Sequence, residues 1–351
     1  MSPSNEPYPD ADPYLCPGDI SARAALAKIN ELTHQFLIIV DTEKRPIGTL
    51  TDGDIRRGLL SGHALDEPVD QFMFRNFKLG RLETAREDAR LLRDRERPVP
   101  FLPLVDKAGV VQSVLVRDIL NSPIDMAVVM AGGFGKRLGD LTKDIPKPLV
   151  EVNGRPILDH VLQALEDAGV AEIYLTLHYR ADQIREFIAQ RRNRAEILFI
   201  YEETPLGTAG SLSLLPKRPQ GPFLVVNGDI ITDVDYSALS GFQSDTKLDG
   251  VLCVSQYRQQ IPYGVVEVEN GSLLGAIREK PTVVHNVASG IYLLSPSFLN
   301  LIEHDEVVDM PTVLERAKSL RYRIGVFPIH EYWIDLGRPT DLDAARKDRS
   351  R

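Results

Sequence analysis

Cysteine is nearly absent from this chain of 351 residues: Cys16 and Cys253 lie far apart and fit no zinc or redox spacing. That excludes a disulfide scaffold and makes a reducing cytoplasm the natural setting. Long apolar runs are missing too. No stretch approaches membrane-spanning length, and the leading Met1–Asp10 segment has no signal-peptide core. Positive charge is in deficit. The formal net charge of −9 argues against a general nucleic-acid binder, although local cations can still hold a single nucleotide. The seven histidines show no metal spacing, and no Ser-His-Asp or Cys-His order is credible. His178 ends a predicted strand and either faces a ligand or serves as a polar cap.

What is present is an ordinary globular composition, with length enough for two domains or more. Residues 1–15, rich in Pro, Asp and Ser, read as a flexible lead-in. A small α/β pattern follows: a helix over 21–32, a strand over 35–40, a turn, a strand over 46–50, and a helix opened by Thr51 or Asp54 as cap. The plan recurs more loosely, with a helix over 84–93, strands over 101–105 and 110–116, and a helix start at 117–120. Two such copies make an internal repeat. Residues 121–125 read as a linker. From Met126 to about Leu342 strands alternate with helices. Strands are expected over 127–130, 172–177, 197–201, 222–226, 250–255 and 263–268; helices are expected over 157–168, 181–190 and 208–215. This alternation predicts an α/β domain, a mostly parallel sheet covered on both faces, with ligands outside the carboxyl ends of its strands.

The richest segment runs from Met126 to Leu149. An apolar strand leads into Gly132, Gly133 and Gly135, then Lys136 and Arg137, then Lys147 held between two prolines. Glycines allow close backbone approach to phosphate, and their N–H groups form an anion cradle. Arg137 forks onto phosphate oxygens; Lys136 and Lys147 add charge. The spacing is neither Gly-x-Gly-x-x-Gly nor a Walker loop. A triphosphate or pyrophosphate is the expected ligand.

The segment closely resembles the signature of the sugar-1-phosphate nucleotidylyltransferases: Gly-Gly-x-Gly-x-Arg-Leu, Leu-Thr and Pro-Lys-Pro-Leu, ending here in Val152-x-Gly154-x-Pro156-Ile-Leu158. The resemblance covers essentially all of 126–342 and implies a Rossmann-like, GT-A-like fold. It also implies attack of a sugar-1-phosphate oxygen on the α-phosphorus of a nucleoside triphosphate, with pyrophosphate leaving. Since that nucleophile is already an anion, the chemistry needs positioning and charge neutralisation by cations and Mg²⁺. Val225-Val-Asn-Gly-Asp229 is an apolar strand ending in a carboxylate, and it resembles the family's Gly-Asp metal site. Asp335, in Trp333-Ile-Asp-Leu-Gly337, resembles the Trp-x-Asp-x-Gly element and would hold the Mg²⁺ with Asp229. Either Asp is otherwise a turn or helix cap.

The resemblance gives Arg137, Lys147 and Lys280 to catalysis. Ala131, Gly132, Gly133, Gly135, Lys136, Gly207 and Thr208 fall to the nucleotide, the last two from the Leu-Gly-Thr-Ala-Gly segment. Tyr263, Gly264, Glu279, Lys280 and Asn286 fall to the sugar phosphate; an isolated Glu-Lys-Pro is otherwise a solvated turn. The sequence ends soon after the Trp-x-Asp-x-Gly element, so no acyltransferase β-helix is expected. GTP is the expected donor, ahead of CTP, UTP and dTTP. A non-catalytic nucleotide-sugar sensor is the alternative; glycosyl transfer is disfavoured for want of a well-placed Asp-x-Asp.

The N-terminal repeat resembles a tandem pair of CBS motifs over 16–121. Thr51 and Asp54 match the positions that contact phosphate and ribose of an adenine nucleotide. In the second copy Asp118 is kept, but Leu115 stands at the hydroxyl position. The alternative is a purely structural pair that mediates dimerisation or docking. The boundaries implied are 1–15, 16–121 and 126–351. The expected partners are a nucleoside triphosphate, a sugar 1-phosphate and an adenine nucleotide, in a homo-oligomer that touches neither nucleic acid nor membrane.

Overall fold

In the computed structural model, residues 11–32, 34–84, 101–116, 124–133 and 136–348 are described, except the side chains of Lys136, Arg137, Asp140 and Asp348. The chain divides into two compact units, Met1–Leu120 and Asn121–Arg351.

The first unit holds two three-stranded sheets of the same plan. In one, β1 (Leu15–Pro17) runs parallel to β2 (Phe36–Val40), which pairs antiparallel with β3 (Pro46–Thr51). In the other, β4 (Gly80–Arg81), β5 (Phe101–Val105) and β6 (Val111–Val116) repeat that order. Even the hairpin turns match. Asp41 Oδ1 accepts from the N–H groups of Glu43 and Arg45, both at 2.9 Å. Asp106 Oδ1 does the same for Ala108 and Val110, at 2.8 and 3.0 Å. Strand β2 is apolar throughout because both faces are covered. Leu37 and Ile39 face the core beneath α1 (Ala22–Glu31) and α2 (Asp52–Leu60), while Phe36, Ile38 and Val40 meet the second sheet. There the equivalent Phe36 and Phe101 stack with centroids 3.7 Å apart.

Strand register corrects one expectation. Thr51 lies opposite Phe36, and Val116 lies opposite Phe101. The counterpart of Thr51 is therefore Val116, not Leu115. Counting onward, Asp118 matches Gly53 in sequence rather than Asp54. Asp118, the expected helix start at 117–120 and nearly all of the expected helix over 84–93 lie outside the described residues.

The second unit is built on a seven-stranded sheet. Its order is β11 (Glu196–Tyr201), β10 (Glu172–Leu177), β7 (Met126–Met130), β12 (Phe223–Asn227), β17 (Thr282–Leu294), β14 (Gly250–Gln260) and β18 (Ile324–Pro328). The first four are mutually parallel, β17 is antiparallel to both neighbours, and β14 and β18 are parallel. The sheet is thus mostly parallel, with core on both faces. A short hairpin of β8 (Glu151–Val152) and β9 (Arg155–Pro156) leads into helix α3 (Ile157–Asp167), which buries Ile157, Leu158, Val161, Leu162 and Leu165, a stripe at helical spacing. Helix α4 (Ala181–Gln190) buries Ile184 and Ile188 in the same way.

Three departures from the expected elements have physical causes. Over 208–215 only a tight 3-10 turn, Gly210–Leu214, forms. The N–H groups of Ala209 and Gly210 both go to the Val308 carbonyl, which pins the segment from a distant loop. Strand β14 runs on to Gln260 because its polar distal half pairs with the equally exposed start of β17. The expected strand over 263–268 begins at Val265. It forms β15 (Val265–Glu269), which pairs with β16 (Leu273–Arg278) in an exposed two-stranded ribbon at the end of this arm.

Candidate active site

The carboxyl ends of β7, β10, β11 and β12 open on one side of the sheet, because those strands are parallel. A cavity of about 240 Å³ lies there. Ala131, Gly132 and Gly133 line it after β7, and Asn227, Gly228 and Asp229 after β12; Lys147, Glu202, Gly207 and Thr208 complete most of the wall. Seven residues singled out from sequence therefore meet in one place: Ala131, Gly132, Gly133, Lys147, Gly207, Thr208 and Asp229. Gly135 and the side chains of Lys136 and Arg137 lie outside the described residues.

The backbone reaches this arrangement through close approaches that only glycine permits. A Cβ on Gly228 would come within 2.8 Å of the Met130 carbonyl oxygen, so the ends of β7 and β12 could not lie so near. Gly207 has φ of +80°, and a Cβ there would lie 2.6 Å from the Val308 carbonyl oxygen. Its neighbour Thr208 is held from the far end of the chain. Asp309 Oδ1 accepts from the Thr208 N–H at 2.9 Å, and the Thr208 hydroxyl accepts from Met310 N–H at 2.9 Å. The Ala131 N–H is already donated to Thr176 Oγ1 at 3.2 Å. The anion-binding capacity of the loop's described part therefore rests on the glycines after it.

Lys147 forms an ion pair with Asp229 and is buried. Asp335 reaches the same neighbourhood through β19 (Trp333–Asp335), which pairs with β13 (Ile230–Thr232) so that Asp335 stands opposite Ile230. The Leu336 N–H closes the arrangement on the Asp229 carbonyl at 3.0 Å. Trp333 fixes this strand by donating its indole N–H to the Ser289 carbonyl at 2.9 Å. Asp229 and Asp335, two carboxylates on adjoining strand ends, are a donor type that suits a hard divalent cation with most of its waters retained. Among the described residues no group of three or more His, Cys, Asp or Glu converges on one point.

The expected sugar residues form a second cluster. The Lys280 N–H is donated to the Tyr263 carbonyl at 3.3 Å, and Ile261 N–H to the Pro281 carbonyl at 2.9 Å. Gly264 lies beside Glu279, whose Oε2 would be 2.9 Å from a Cβ there. Tyr263, Gly264, Glu279 and Lys280 thus meet at the base of the ribbon, with Tyr263 74% exposed. Asn286 lies opposite Gln256 on the arm. None of these five lines the cavity. Gly290, on the same strand as Asn286, has φ of +76°; a Cβ there would lie 2.5 Å from Asn227 Nδ2, at the cavity wall.

Sequence reading passed over Glu202, Asn227 and Asp309. Glu202 Oε2 accepts from the Leu206 N–H at 2.9 Å and so sets the turn that carries Gly207. His178 does not enter the cavity lining; its Nδ1 bonds the Glu202 carbonyl oxygen at 2.9 Å. In the first unit, Thr51 and Asp54 make a reciprocal cap at the start of α2, with Thr51 N–H donated to Asp54 Oδ2 at 2.8 Å and Asp54 N–H to Thr51 Oγ1 at 3.3 Å. Arg57 pairs with the same buried carboxylate.

The family model described as nucleotidyl transferase matches residues 126–351. The chain belongs to that family. A CBS domain model matches residues 7–61, which covers the first copy of the repeat. The mannose-1-phosphate guanylyltransferase catalytic subunit beta of Drosophila pseudoobscura pseudoobscura is 34% identical over 228 residues, covering 62% of this chain and 60% of that protein. The mannose-1-phosphate guanyltransferase of Schizosaccharomyces pombe is 34% identical over 228 residues, with 61% of each chain covered. The chain thus spans about 60% of the length of these relatives. Among solved structures, HddC from Yersinia pseudotuberculosis is 30% identical with a TM-score of 0.51, covering 64% of this chain and all of HddC. A second structure of HddC, complexed with GMP-PN, is 28% identical with a TM-score of 0.50. Among the described residues, no helix is long and apolar enough to cross a membrane.

Proposed function

We propose that this protein transfers a guanylyl group from GTP to a sugar 1-phosphate, with mannose 1-phosphate the first acceptor to try. The observation that carries the reading is the cavity at the strand ends, where the glycine loop, Lys147 and Asp229 meet, with Asp335 on the strand paired beside it. The names of the relatives and of the GMP-PN complex support guanine and mannose.

A sugar-1-phosphate oxygen attacks the α-phosphorus, the bond to the β-phosphate oxygen breaks, and pyrophosphate leaves with the electron pair. No strong base is required. The free N–H groups of the glycine loop orient the triphosphate, and Arg137 and Lys147 balance its charge. Asp229 and Asp335 would hold Mg²⁺, which would supply further charge neutralisation. Lys147 exchanges its Asp229 partner for phosphate when nucleotide enters. Lys280 and Glu279 bring the acceptor's phosphate and hydroxyls from the ribbon side.

In the first unit, the matched sheets and hairpin turns support a tandem CBS pair over 16–121 that takes an adenine nucleotide near Thr51 and Asp54. There the ligand has to share or replace the existing cap. The two free, buried cysteines suit a reducing compartment.

The test is pyrophosphate release by the purified chain with Mg²⁺, crossing four nucleoside triphosphates against several sugar 1-phosphates. A strong GTP signal with one sugar, lost in Asp229→Asn, is the expected result. Silence across the grid with nucleotide-sugar binding intact overturns the catalytic reading in favour of a sensor.

A further inference from the structure

Asp309 stands where a helix cap belongs, yet it does not cap its own helix. It immediately precedes the helix Met310–Ser319, where an aspartate usually accepts from the helix's first N–H groups, but its side chain receives none of them. Its Oδ1 instead accepts from the Thr208 N–H at 2.9 Å and from the Thr208 hydroxyl at 3.1 Å. In exchange, the Thr208 hydroxyl oxygen accepts from the Met310 N–H at 2.9 Å, so a residue 102 positions earlier caps the helix. The neighbouring backbone is tied in the same manner. The Val308 N–H is donated to the Leu206 carbonyl at 3.0 Å, and the Val308 carbonyl receives the Ala209 and Gly210 N–H groups, both at 3.1 Å. The Leu206 N–H goes to Glu202. Of the N–H groups from Leu206 to Gly210, only that of Gly207 has no acceptor among the described residues, and Gly207 lines the cavity. The loop before Asp309 is itself anchored. Arg316 donates through both terminal nitrogens to Glu306, at 2.9 and 2.5 Å, and to the Leu301 carbonyl at 3.1 Å.

We propose that Asp309 is a positioning residue for the nucleotide: its carboxylate sets the Gly207–Thr208 peptide so that the one unclaimed N–H of the turn stays available to a ligand in the cavity. This rests on the nucleotidyl-transfer reading and adds to it a residue that does not line the cavity. Helix capping alone does not call for the exchange, since an aspartate at this position can cap its own helix. The turn, by contrast, needs an outside hold. Gly207, at φ of +80°, is its most freely rotating residue, because glycine has more conformational freedom to lose than any other. A carboxylate that receives both donors of the next residue removes that freedom before the ligand arrives, so little ordering is left for the moment of binding. The same oxygen lies against the bare Cα of Gly207, 2.9 Å from where a Cβ would stand. The Asp309 side chain makes no described bond to Tyr263, Gly264, Glu279 or Lys280, so its effect belongs to the nucleotide and not to the acceptor.

The test compares wild type, Asp309→Ala and Asp309→Asn as whole chains with Mg²⁺. Calorimetry measures binding of GTP and the other three nucleoside triphosphates, and steady-state kinetics give KM for GTP and for mannose 1-phosphate. Asp309→Ala takes the acceptor from both Thr208 donors. It is expected to weaken GTP binding and raise the KM for GTP by about 10–100-fold, the range of a hydrogen bond to a charged group. Both kcat and the KM for the sugar phosphate should stay within about threefold, a split that general loosening of the fold does not produce. Asp309→Asn keeps an oxygen acceptor in the same place and should hold GTP affinity to within about fivefold of wild type. The proposal is overturned if Asp309→Ala leaves nucleotide affinity unchanged or weakens both substrates alike. It is also overturned if Asp309→Asn is as impaired as Asp309→Ala, or if no triphosphate binds wild type. Weakened triphosphate binding in Asp309→Ala, retained in Asp309→Asn, in a protein that turns over no triphosphate supports the positioning role while removing the transfer reading.

Discussion

The cavity at the strand ends and the ribbon at the end of the β14–β17 arm are built to opposite specifications. In the cavity, Asp229, Lys147 and Glu202 are tied down by ion pairs or backbone donors and sit on a sheet buried on both faces. At the ribbon, Tyr263, Gly264, Glu279 and Lys280 are exposed and meet through a few backbone bonds on a two-stranded element. Two strands alone are marginal in water. A rigid pocket suits a ligand whose triphosphate must be aligned to a fraction of an ångström. For the proposed transfer, a loosely held ribbon would suit the acceptor, which has to enter, react and leave as part of a larger product. Prebuilt geometry is concentrated where charge is highest.

The comparison is broken most severely at Asp229. Asp229→Asn removes a charge from the proposed metal corner and from Lys147, and turnover should fall by about 10³-fold, as losses of preorganised charge do at such sites. Steady-state pyrophosphate release measures this, and an unchanged thermal midpoint would show that the fold survives. Gly207→Ala attacks the cavity through the backbone instead. A Cβ at φ of +80°, 2.6 Å from the Val308 oxygen, should cost about 2–4 kcal/mol of stability. Denaturant unfolding gives the value, and a change under about 0.5 kcal/mol would show that the turn rebuilds freely.

The ribbon should respond differently. Lys280→Met is expected to raise KM for the sugar phosphate about 10-fold, the scale of one lost charge contact, with the midpoint unmoved. A drop in kcat at unchanged KM would place Lys280 in the transition state rather than in acceptor binding. The smallest effect is on pH dependence, far from both regions. Burial raises the Glu166 carboxyl, but Arg191 and the N–H groups of Arg194 and Ala195 outweigh it and hold it below its usual 4.5. The unfolded chain then binds the more readily held proton. Stability is complete above pH 4.5 and declines as pH falls below it. Thermal midpoints between pH 7 and 3 should fall in wild type and fall less steeply in Glu166→Gln.

Much of the cavity was legible because its parts are local. The glycine loop, the Pro-Lys-Pro segment and the apolar strand ending in Asp229 are each contiguous, and strand-end placement follows from a parallel sheet. The metal corner was legible as two separate motifs, but their adjacency depends on the β13–β19 pairing, which no spacing reveals. Glu202 was hidden in the stretch Glu202-Glu203-Thr204-Pro205, which reads as solvated loop. Its place at the cavity wall depends on Gly132 lying beside it from another strand end. Asp309 was hidden for the same reason, since it reaches Thr208 from 101 residues away in sequence. The second N-terminal copy shows the limit of motif matching in another way. The Asp118 match suggested Leu115, whereas the strand register selects Val116.

Strand β17 carries a consequence for how the arm and the sheet are coupled. Its pairing with β14 shifts register between Leu252 and Val254, opposite the stretch that includes Gly290. That places a fulcrum at the cavity wall beside Asn227. From there to Thr282 the strand extends for about 25 Å at the usual rise of about 3.3 Å per residue. With that leverage, a tilt of about 5° at the fulcrum carries the ribbon by about 2 Å over the same length. Any such tilt would move the ribbon end of the arm and leave the cavity end, at the pivot, nearly in place.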